Sequence, residues 1–291
     1  MFKHILVPLD GSNLAEAAIP VAAELSQKLG AEVTLLHVIE KNAPQEIHHQ
    51  RHLTQEDDAR KYLEGVAASK FAPGTVINFH VHSEEVSRVT ASIVQHSDEF
   101  APDLIILSAH GEGGIHDFVV GSIPQQVIAA ALIPVLLLQP QEGDVTERQT
   151  IKTIVSALDG KPDHDASLVV AADLAEAIGA SLHLVRVVPT LGTLSSKDAA
   201  SGTLLPVTTN AILDMEEESA VEYLDQKLQW LHSRGILASA EVERGDPAQE
   251  VVKSAINQNT DLIILATHGK KGMDARWAGS VAPLIVSRTR L

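Results

Sequence analysis

Two loops of the chain have the residues an anion site needs. One reads Ser108-Ala109-His110-Gly111-Glu112-Gly113-Gly114, the other Ala266-Thr267-His268-Gly269-Lys270-Lys271-Gly272. Nine residues separate Gly111 from Gly121 and nine separate Gly269 from Gly279, and each second glycine precedes a serine, Ser122 or Ser280. Glycine permits positive φ and close backbone approach, so successive amides can converge on one anionic group. A Gly-Ser pair that opens a helix adds the favourable end of the helix dipole. Phosphate is the ligand such loops suit. Asp10 and Asp159 each end an apolar segment and precede a glycine. A carboxylate there can accept the exocyclic amine of adenine. Plainer roles compete: Ser122 and Ser280 also fit helix N-caps, Asp10 and Asp159 fit turn-formers, and Gly113, Gly114 and Gly272 fit simple loop shaping. His110 and His268 fit packing beside the loop better than catalysis.

The two loops differ in charge. The first carries Glu112 and Asp117; the second carries Lys270, Lys271 and Arg276 alongside Asp274. Carboxylates repel phosphate, whereas ammonium and guanidinium groups attract it. The same bias runs through the halves: residues 1–145 hold 8 Lys+Arg against 19 Asp+Glu, and residues 146–291 hold 14 against 19. The second half is therefore the better expected home for a polyanion.

These loops belong to a repeat. Ile5-Leu6-Val7-Pro8-Leu9-Asp10-Gly11 matches Ile154-Val155-Ser156-Ala157-Leu158-Asp159-Gly160 at a spacing of 149, which also relates Gly30 to Gly179 and Val38 to Val187. Asp103-Leu104-Ile105-Ile106-Leu107 matches Asp261-Leu262-Ile263-Ile264-Leu265 at 158, as do His110-Gly111 with His268-Gly269 and Gly121-Ser122 with Gly279-Ser280. One net insertion of nine residues reconciles the spacings, and the Gly/Ser/Thr/Pro-rich stretch 189–210 is its natural place. Within the first copy, hydrophobic periodicity predicts strands at 3–9, 32–39, 75–81, 103–109 and 134–138, and helices at 13–29, 54–70, 85–98 and 122–131. Alternating strands and helices imply a doubly wound, Rossmann-like α/β domain with a five-stranded parallel sheet. The domains are expected at 1–145 and 146–291, joined by the polar run from Gln139 to Thr150. After Ser280 the sequence runs to Leu291 without a counterpart of Pro134-Val135-Leu136-Leu137-Leu138, so the second copy is expected to lack its last strand. In open sheets of this kind ligands bind beyond the carboxyl ends of the strands, where strand order reverses. If the first and fourth strands are neighbours there, Asp10 shares a crevice with the Gly111 loop and Asp159 shares one with the Gly269 loop.

With these motifs in place, the chain resembles a tandem universal stress protein across nearly its whole length. The resemblance implies an adenine-nucleotide α-hydrolase-like fold and a signature of Gly-x-x-Gly, nine residues, then Gly-Ser. It assigns adenine contacts to Asp10 and Val38, and to Asp159 and Val187. Phosphate contacts fall to Gly111, Gly121 and Ser122, and to Gly269, Gly279 and Ser280, with His268, Lys270 and Gly272 in the same loop. Ser108 and Ala266 stand where the signature has its first glycine. Gly245-Asp246-Pro247 resembles the family's turn near the ribose, and ungapped counting places Ser87-Arg88-Val89 opposite it. The implied ligand is ATP, with AMP or ADP as alternatives and Mg alongside ATP. A homodimer or an intramolecular pseudo-dimer is expected, with a protein partner that sequence does not name.

Composition narrows the classes. A formal charge of −16 opposes a duplex nucleic-acid binder. No segment reaches membrane-span length. The absence of cysteine excludes disulfides and Cys-based zinc sites. The amino terminus reads as a strand rather than a signal peptide, so a cytoplasmic location is expected. Histidines remain. His48, His49 and His52 form a cluster, with His48 and His52 on one face if the stretch is helical; His80 and His82 share a strand face. With no full ligand set to name, no metal is assigned. The acidic run Glu216-Glu217-Glu218 is expected on a solvent-facing helical turn. Three readings follow: a nucleotide-binding stress-response regulator that hydrolyses ATP slowly at most, for want of a nucleophile–base–orienter set; a nucleotide-free dimerising scaffold with vestigial sites; and a metal-dependent enzyme using the histidines.

Overall fold

In the computed structural model the chain divides into two compact units, Phe2–Thr150 and Ile151–Leu291. The structure describes residues 2–44, 46–47, 50–109, 122–139, 150–161, 164–195, 198–266 and 281–289. The expected boundary between 145 and 146 lies outside them.

The first unit runs β1 (His4–Pro8), a 3-10 turn (Ala15–Ala18), α1 (Ile19–Leu29), β2 (Glu32–Glu40), β3 (Glu46–Ile47), β4 (Gln50–Arg51), α2 (Glu56–Lys70), β5 (Ile77–Val86), α3 (Val89–Phe100), β6 (Leu104–Ser108), α4 (Ser122–Ala130) and β7 (Val135–Leu138). Its parallel sheet has the order β5-β2-β1-β6-β7. The second unit runs β8 (Thr153–Ala157), α5 (Ala166–Ile178), β9 (Ser181–Val188), α6 (Ala199–Leu204), α7 (Pro206–Ser233), β10 (Ala238–Arg244), α8 (Pro247–Asn257), β11 (Leu262–Leu265) and α9 (Ala282–Arg288). Its described sheet has four strands, β10-β9-β8-β11, so β7 has no counterpart there. Central strands read as apolar runs because helices cover both faces: Ile5, Leu6, Val7, Ile105, Ile154 and Val155 are fully buried.

The duplication extends to the backbone. Positive φ recurs at Gly11 and Gly160, Gly30 and Gly179, Gly74 and Gly235, and Ala101 and Asn259. Gly30 and Gly179 end α1 and α5 in the left-handed conformation, as expected of helix stops. Strand register refines the insertion. Val33 pairs with Ile77 and Leu182 with Ala238, so the third strands are 161 residues apart, not 158. The net nine residues are thus twelve gained before the third strand of the second copy and three extra residues in β5 of the first. Those three lie past an irregularity between Val38 and Glu40; they carry β5 to Val86 and delay α3 to Val89, beyond the expected 75–81 and 85–98.

Two expected loops hold structure. The stretch 189–210 contains α6 and the start of α7, whose Pro206 sits in the first turn, where a missing N–H costs nothing. The polar loop after β2 contains the β3–β4 hairpin, so the surroundings of His48 and His52 are extended rather than helical; His48 and His49 themselves lie outside the described residues. Glu216, Glu217 and Glu218 do lie on a helix, α7, and Glu217 with Asp214 binds Arg244 at 2.8 Å each.

Candidate functional site

In both sheets the first strand lies beside the fourth: β1 pairs with β6 and β8 with β11. A duplicated aspartate pins each junction at its amino end. Asp103 accepts the amides of Lys3 and His4 at 2.7 and 3.1 Å, and Asp261 accepts those of Lys152 and Thr153 at 2.8 and 2.9 Å. Strand order therefore reverses between β8 and β11, and the residues expected there share the carboxyl edge of one sheet. Asp159 follows β8 and Ala266 follows β11. Val187 is the penultimate residue of β9, half-buried against the core under α8. The Gly245 amide donates to Val188 O at 3.1 Å, which sets the Gly245-Asp246-Pro247 turn next to Val187. Asp246 caps α8 by accepting the Gln249 amide at 2.9 Å and takes Arg288 Nη1 at 3.3 Å; Pro247 opens the helix. Gly245 O accepts Thr193 Oγ1 at 3.0 Å.

The second unit's corner is polar and accessible. Asp159 Oδ1 accepts the Lys161 amide at 3.0 Å and Oδ2 takes His164 Nδ1 at 2.6 Å, with Lys161 Nζ 3.7 Å away. The Asp159 side chain stays 37% exposed and that of Lys161 64%. Burial pushes the Asp159 pKa up; the Lys161 amide, His164 and the Lys161 charge outweigh it and hold the carboxyl below its ordinary value. Gly160, at φ +76°, accommodates the Arg186 guanidinium, which would lie 2.5–2.8 Å from any Cβ there. The guanidinium also sits 5.4 Å from the Tyr223 ring centroid. Tyr223 donates its hydroxyl to Asp165, whose other oxygen takes Lys227 Nζ at 2.6 Å. Burial, then Asp165, push the phenol's pKa up.

The first unit's corner is covered by its own chain. Asp10 Oδ1 accepts the Ser12 amide at 2.8 Å, the same turn that Asp159 makes. Gly11, at φ +92°, packs on Leu53, whose Cδ1 and Cγ would stand 2.8 and 2.9 Å from a Cβ. His37, the counterpart of Arg186, bridges Leu9 O at 2.8 Å and Leu53 O at 3.0 Å. The Asn13 amide donates to Gln50 Oε1 at 2.7 Å, and His52 is buried. The segment from Gln50 to Leu53 is thereby fastened over the end of β1. The Val38 side chain belongs to the core with Leu36, Ile93 and Ile105, so its backbone is what it can offer a ligand. Ser108 ends β6 with its hydroxyl buried and without a partner among the described residues.

His110, Gly111, Gly121, His268, Gly269, Lys270, Gly272, Gly279 and Ser280 lie outside the described residues, and Ser122 is described only as the first residue of α4. Sequence reading missed Arg186, Leu53 and the tyrosines. The chain's only two tyrosines, Tyr62 and Tyr223, lie 161 residues apart, the spacing of the third strands. Each senses the aspartate of its own corner: burial, then Glu16, then Asp10 push the Tyr62 phenol's pKa up, as Asp159 contributes for Tyr223. A Tyr-Leu pair in each half was the signal available. His96 was also missed. It lies on α3 against His80 and His82, with its ring centroid 4.4 and 5.0 Å from theirs. No described helix is long and apolar enough to cross a membrane.

Comparison with known proteins fits this geometry. The model of the universal stress protein family matches residues 1–139 and again 150–290. A universal stress protein of Synechocystis is 31% identical over 138 residues, covering 47% of this chain and 86% of the relative. One from Thermus aquaticus is 30% identical over 143 residues, covering 48% of this chain and all of the relative. The crystal structure of a universal stress protein from Archaeoglobus fulgidus superposes with a TM-score of 0.68 at 17% identity, covering 99% of this chain and 96% of that one, which shows the shared two-domain fold. The chain therefore belongs to the universal stress protein family, with one family domain in each half.

Proposed function

We propose that the protein is a stress-response regulator that binds ATP in its second domain, and that the first domain acts mainly as a structural partner. The observation that carries this reading is the contrast between the two corners: the Asp159 carboxylate is exposed beside Lys161, His164 and Arg186, while at the half-buried Asp10 corner Leu53 packs on Gly11 and His37 bonds Leu53 O. A carboxylate has about four lone-pair sites, so the bonds from Lys161 and His164 leave Asp159 capacity for an adenine amine. Val187 and the Gly245-Asp246-Pro247 turn would flank the base and ribose. Ala266, His268, Gly269, Lys270, Gly272, Gly279 and Ser280 would hold the phosphates, with Mg on the triphosphate and the cations of that loop balancing its charge. Bound nucleotide would fix this loop and change the docking of a protein partner or a second copy, by as much as the ligand prefers one state. We place this action in the cytoplasm and expect turnover of ATP to be slow at most.

Isothermal titration with ATP tests the assignment. The double variant Gly269→Val, Gly279→Val should lose binding, and Gly111→Val, Gly121→Val should keep it, with far-UV circular dichroism checking the fold. Equal affinity in all three proteins refutes the second-domain site. The packing of Leu53 on Gly11 at the Asp10 corner favours a nucleotide-free role for the first domain. Should purified protein release no nucleotide and bind none, the scaffold reading extends to the whole chain.

A further inference from the structure

At the edge of the first sheet, away from the carboxyl-end crevice, three histidines meet. His80 and His82 project from one face of β5, and His96 faces them from α3. One ring nitrogen from each lies within 4.8 Å of the other two. His96 Nε2 stands 3.0 Å from His82 Nδ1, and His96 Nδ1 stands 3.1 Å from Glu99 Oε2. Phe100 walls the cluster, stacked on His96 at 5.2 Å and edge-on to His80 at 4.9 Å. His96 is buried, whereas His80 and His82 remain half-exposed, which leaves an entry path.

We propose that His80, His82 and His96 form a site for a divalent transition-metal ion of the zinc class, with Glu99 orienting His96 and the fourth position left to water. Zinc–nitrogen bonds of 2.0–2.1 Å in a tetrahedron set ligand nitrogens about 3.3 Å apart. The His82–His96 pair already has that spacing, and side-chain rotation must close at most about 1.5 Å for the third nitrogen. The carboxylate–imidazole contact is the usual outer support of a histidine ligand. With Nδ1–H of His96 donating to Glu99, His96 Nε2 presents its lone pair. His82 Nδ1–H donates to that lone pair in the metal-free protein; on metal binding His82 shifts its proton to Nε2 and offers Nδ1 instead. All three ligands stay neutral imidazoles, and no redox step is involved.

The internal repeat gives an independent contrast. Pairing with Leu36 and Val38 on one side, and with Val185 and Val187 on the other, puts Glu241 in the place of His80 and Glu243 in that of His82. On the following helix Ser254 takes the place of His96. That set makes a hydrogen-bond and ion-pair network: Ser254 Oγ donates to Glu241 Oε1 at 2.5 Å, His183 Nε2 lies 3.2 Å from the same oxygen, and Lys253 lies 3.7 Å from Glu243. Three positions on two elements are histidine together in one copy and none is histidine in the other. Strand packing alone sets no such condition.

The full-length protein, stripped with a chelator, should take up one zinc or cobalt ion with micromolar or tighter affinity by isothermal titration, and cobalt should give the visible absorption of a tetrahedral nitrogen site. His80→Ala and His82→Ala should abolish uptake while keeping the far-UV circular dichroism of the metal-free parent. Glu99→Gln should weaken it by about 10–100-fold. His48→Ala with His49→Ala should leave it intact, which separates this cluster from the other histidines. Failure of the parent to bind either ion at micromolar concentration, or full binding by His80→Ala and His82→Ala, overturns the proposal. His96→Ala is unsuitable alone because the side chain is buried.

Discussion

Replacing Asp159 by asparagine separates the charge of the second-domain corner from its shape. Asparagine keeps an oxygen for the Lys161 amide, now 3.0 Å from Oδ1, but sets an amide group toward His164 and toward any incoming amine. A hydrogen bond to a charged group is worth about 1.5–3 kcal/mol net. Because the carboxylate is 37% exposed and water competes for it, the lower end applies. A loss of about 1.5 kcal/mol raises the Kd for ATP about tenfold. The companion change Asp10→Asn should leave ATP affinity within about twofold, since Leu53 already covers that corner. Titration of both variants and the parent at one salt concentration, with thermal melts to confirm folding, makes the comparison. If Asp159→Asn binds ATP as the parent does, or if Asp10→Asn weakens it equally, the argument from corner accessibility is wrong.

Two further outcomes follow from the same corners. The Asp159 carboxyl has a folded pKa below its unfolded value of about 3.9; its stabilising effect is complete above that value and is lost as pH falls through the folded one. The melting temperatures of parent and Asp159→Asn should therefore differ at neutral pH and converge as acidification passes below the unfolded value and through the folded one, and a gap that stays constant on acidification would contradict the linkage. Gly30→Ala, at φ +65° with open space around it, should cost about 1–2 kcal/mol in urea unfolding of the first domain. Gly11→Ala carries the same backbone penalty and must also displace Leu53 from 2.8 Å, so it should cost more; equal costs would mean that Leu53 is not packed there.

Much of the fold was legible because its signals are local. Apolar runs ending at Asp10 and Asp159, helix stops at Gly30 and Gly179, and paired spacings of 149 and 158 each act within one element or one crossover. Adjacency of the first and fourth strands was the condition for a shared crevice, and the described sheets meet it. What escaped depends on contacts between elements. Nothing around Leu53 says that its side chain will settle on Gly11, because the contact joins a loop after β2 to a turn after β1. His80 and His82 declare a shared face by strand period, but the face that α3 turns toward them depends on where that helix starts, and the three extra residues of β5 moved that start. The start of the long α7 was hidden in a Gly/Ser/Thr/Pro-rich stretch, although Pro206 was a readable first-turn residue. The glycine loops that carried the phosphate argument lie outside the described residues, so the legible part of the candidate site is the placement of Asp159, Val187 and Gly245 at one edge of the second sheet.

The two copies retain one set of features and exchange another, and the division follows the energetics. Retained are the groups that fix strand order and chain reversal: Asp103 and Asp261 on the first-strand amides, and the left-handed residues after the helices. Exchanged are polar groups that satisfy one another, and they change as sets. A buried polar group left without its partner costs about 1–3 kcal/mol. A serine at position 96 alone would strand the His82 nitrogen; a histidine at 254 alone would crowd Glu241 and displace the 2.5 Å bond from Ser254. The same holds at the crevice, where His37 is matched to the carbonyls of Leu9 and Leu53 while Arg186 is matched to the Tyr223 face and to Gly160, on which its guanidinium packs. Arginine has no acceptor and five donors, so placed at position 37 it would fill the space that Leu53 occupies and lift the covering segment. Opening the first domain's corner to a nucleotide therefore requires at least the pair His37 and Leu53 to change together, and either substitution alone should lower stability without creating a site.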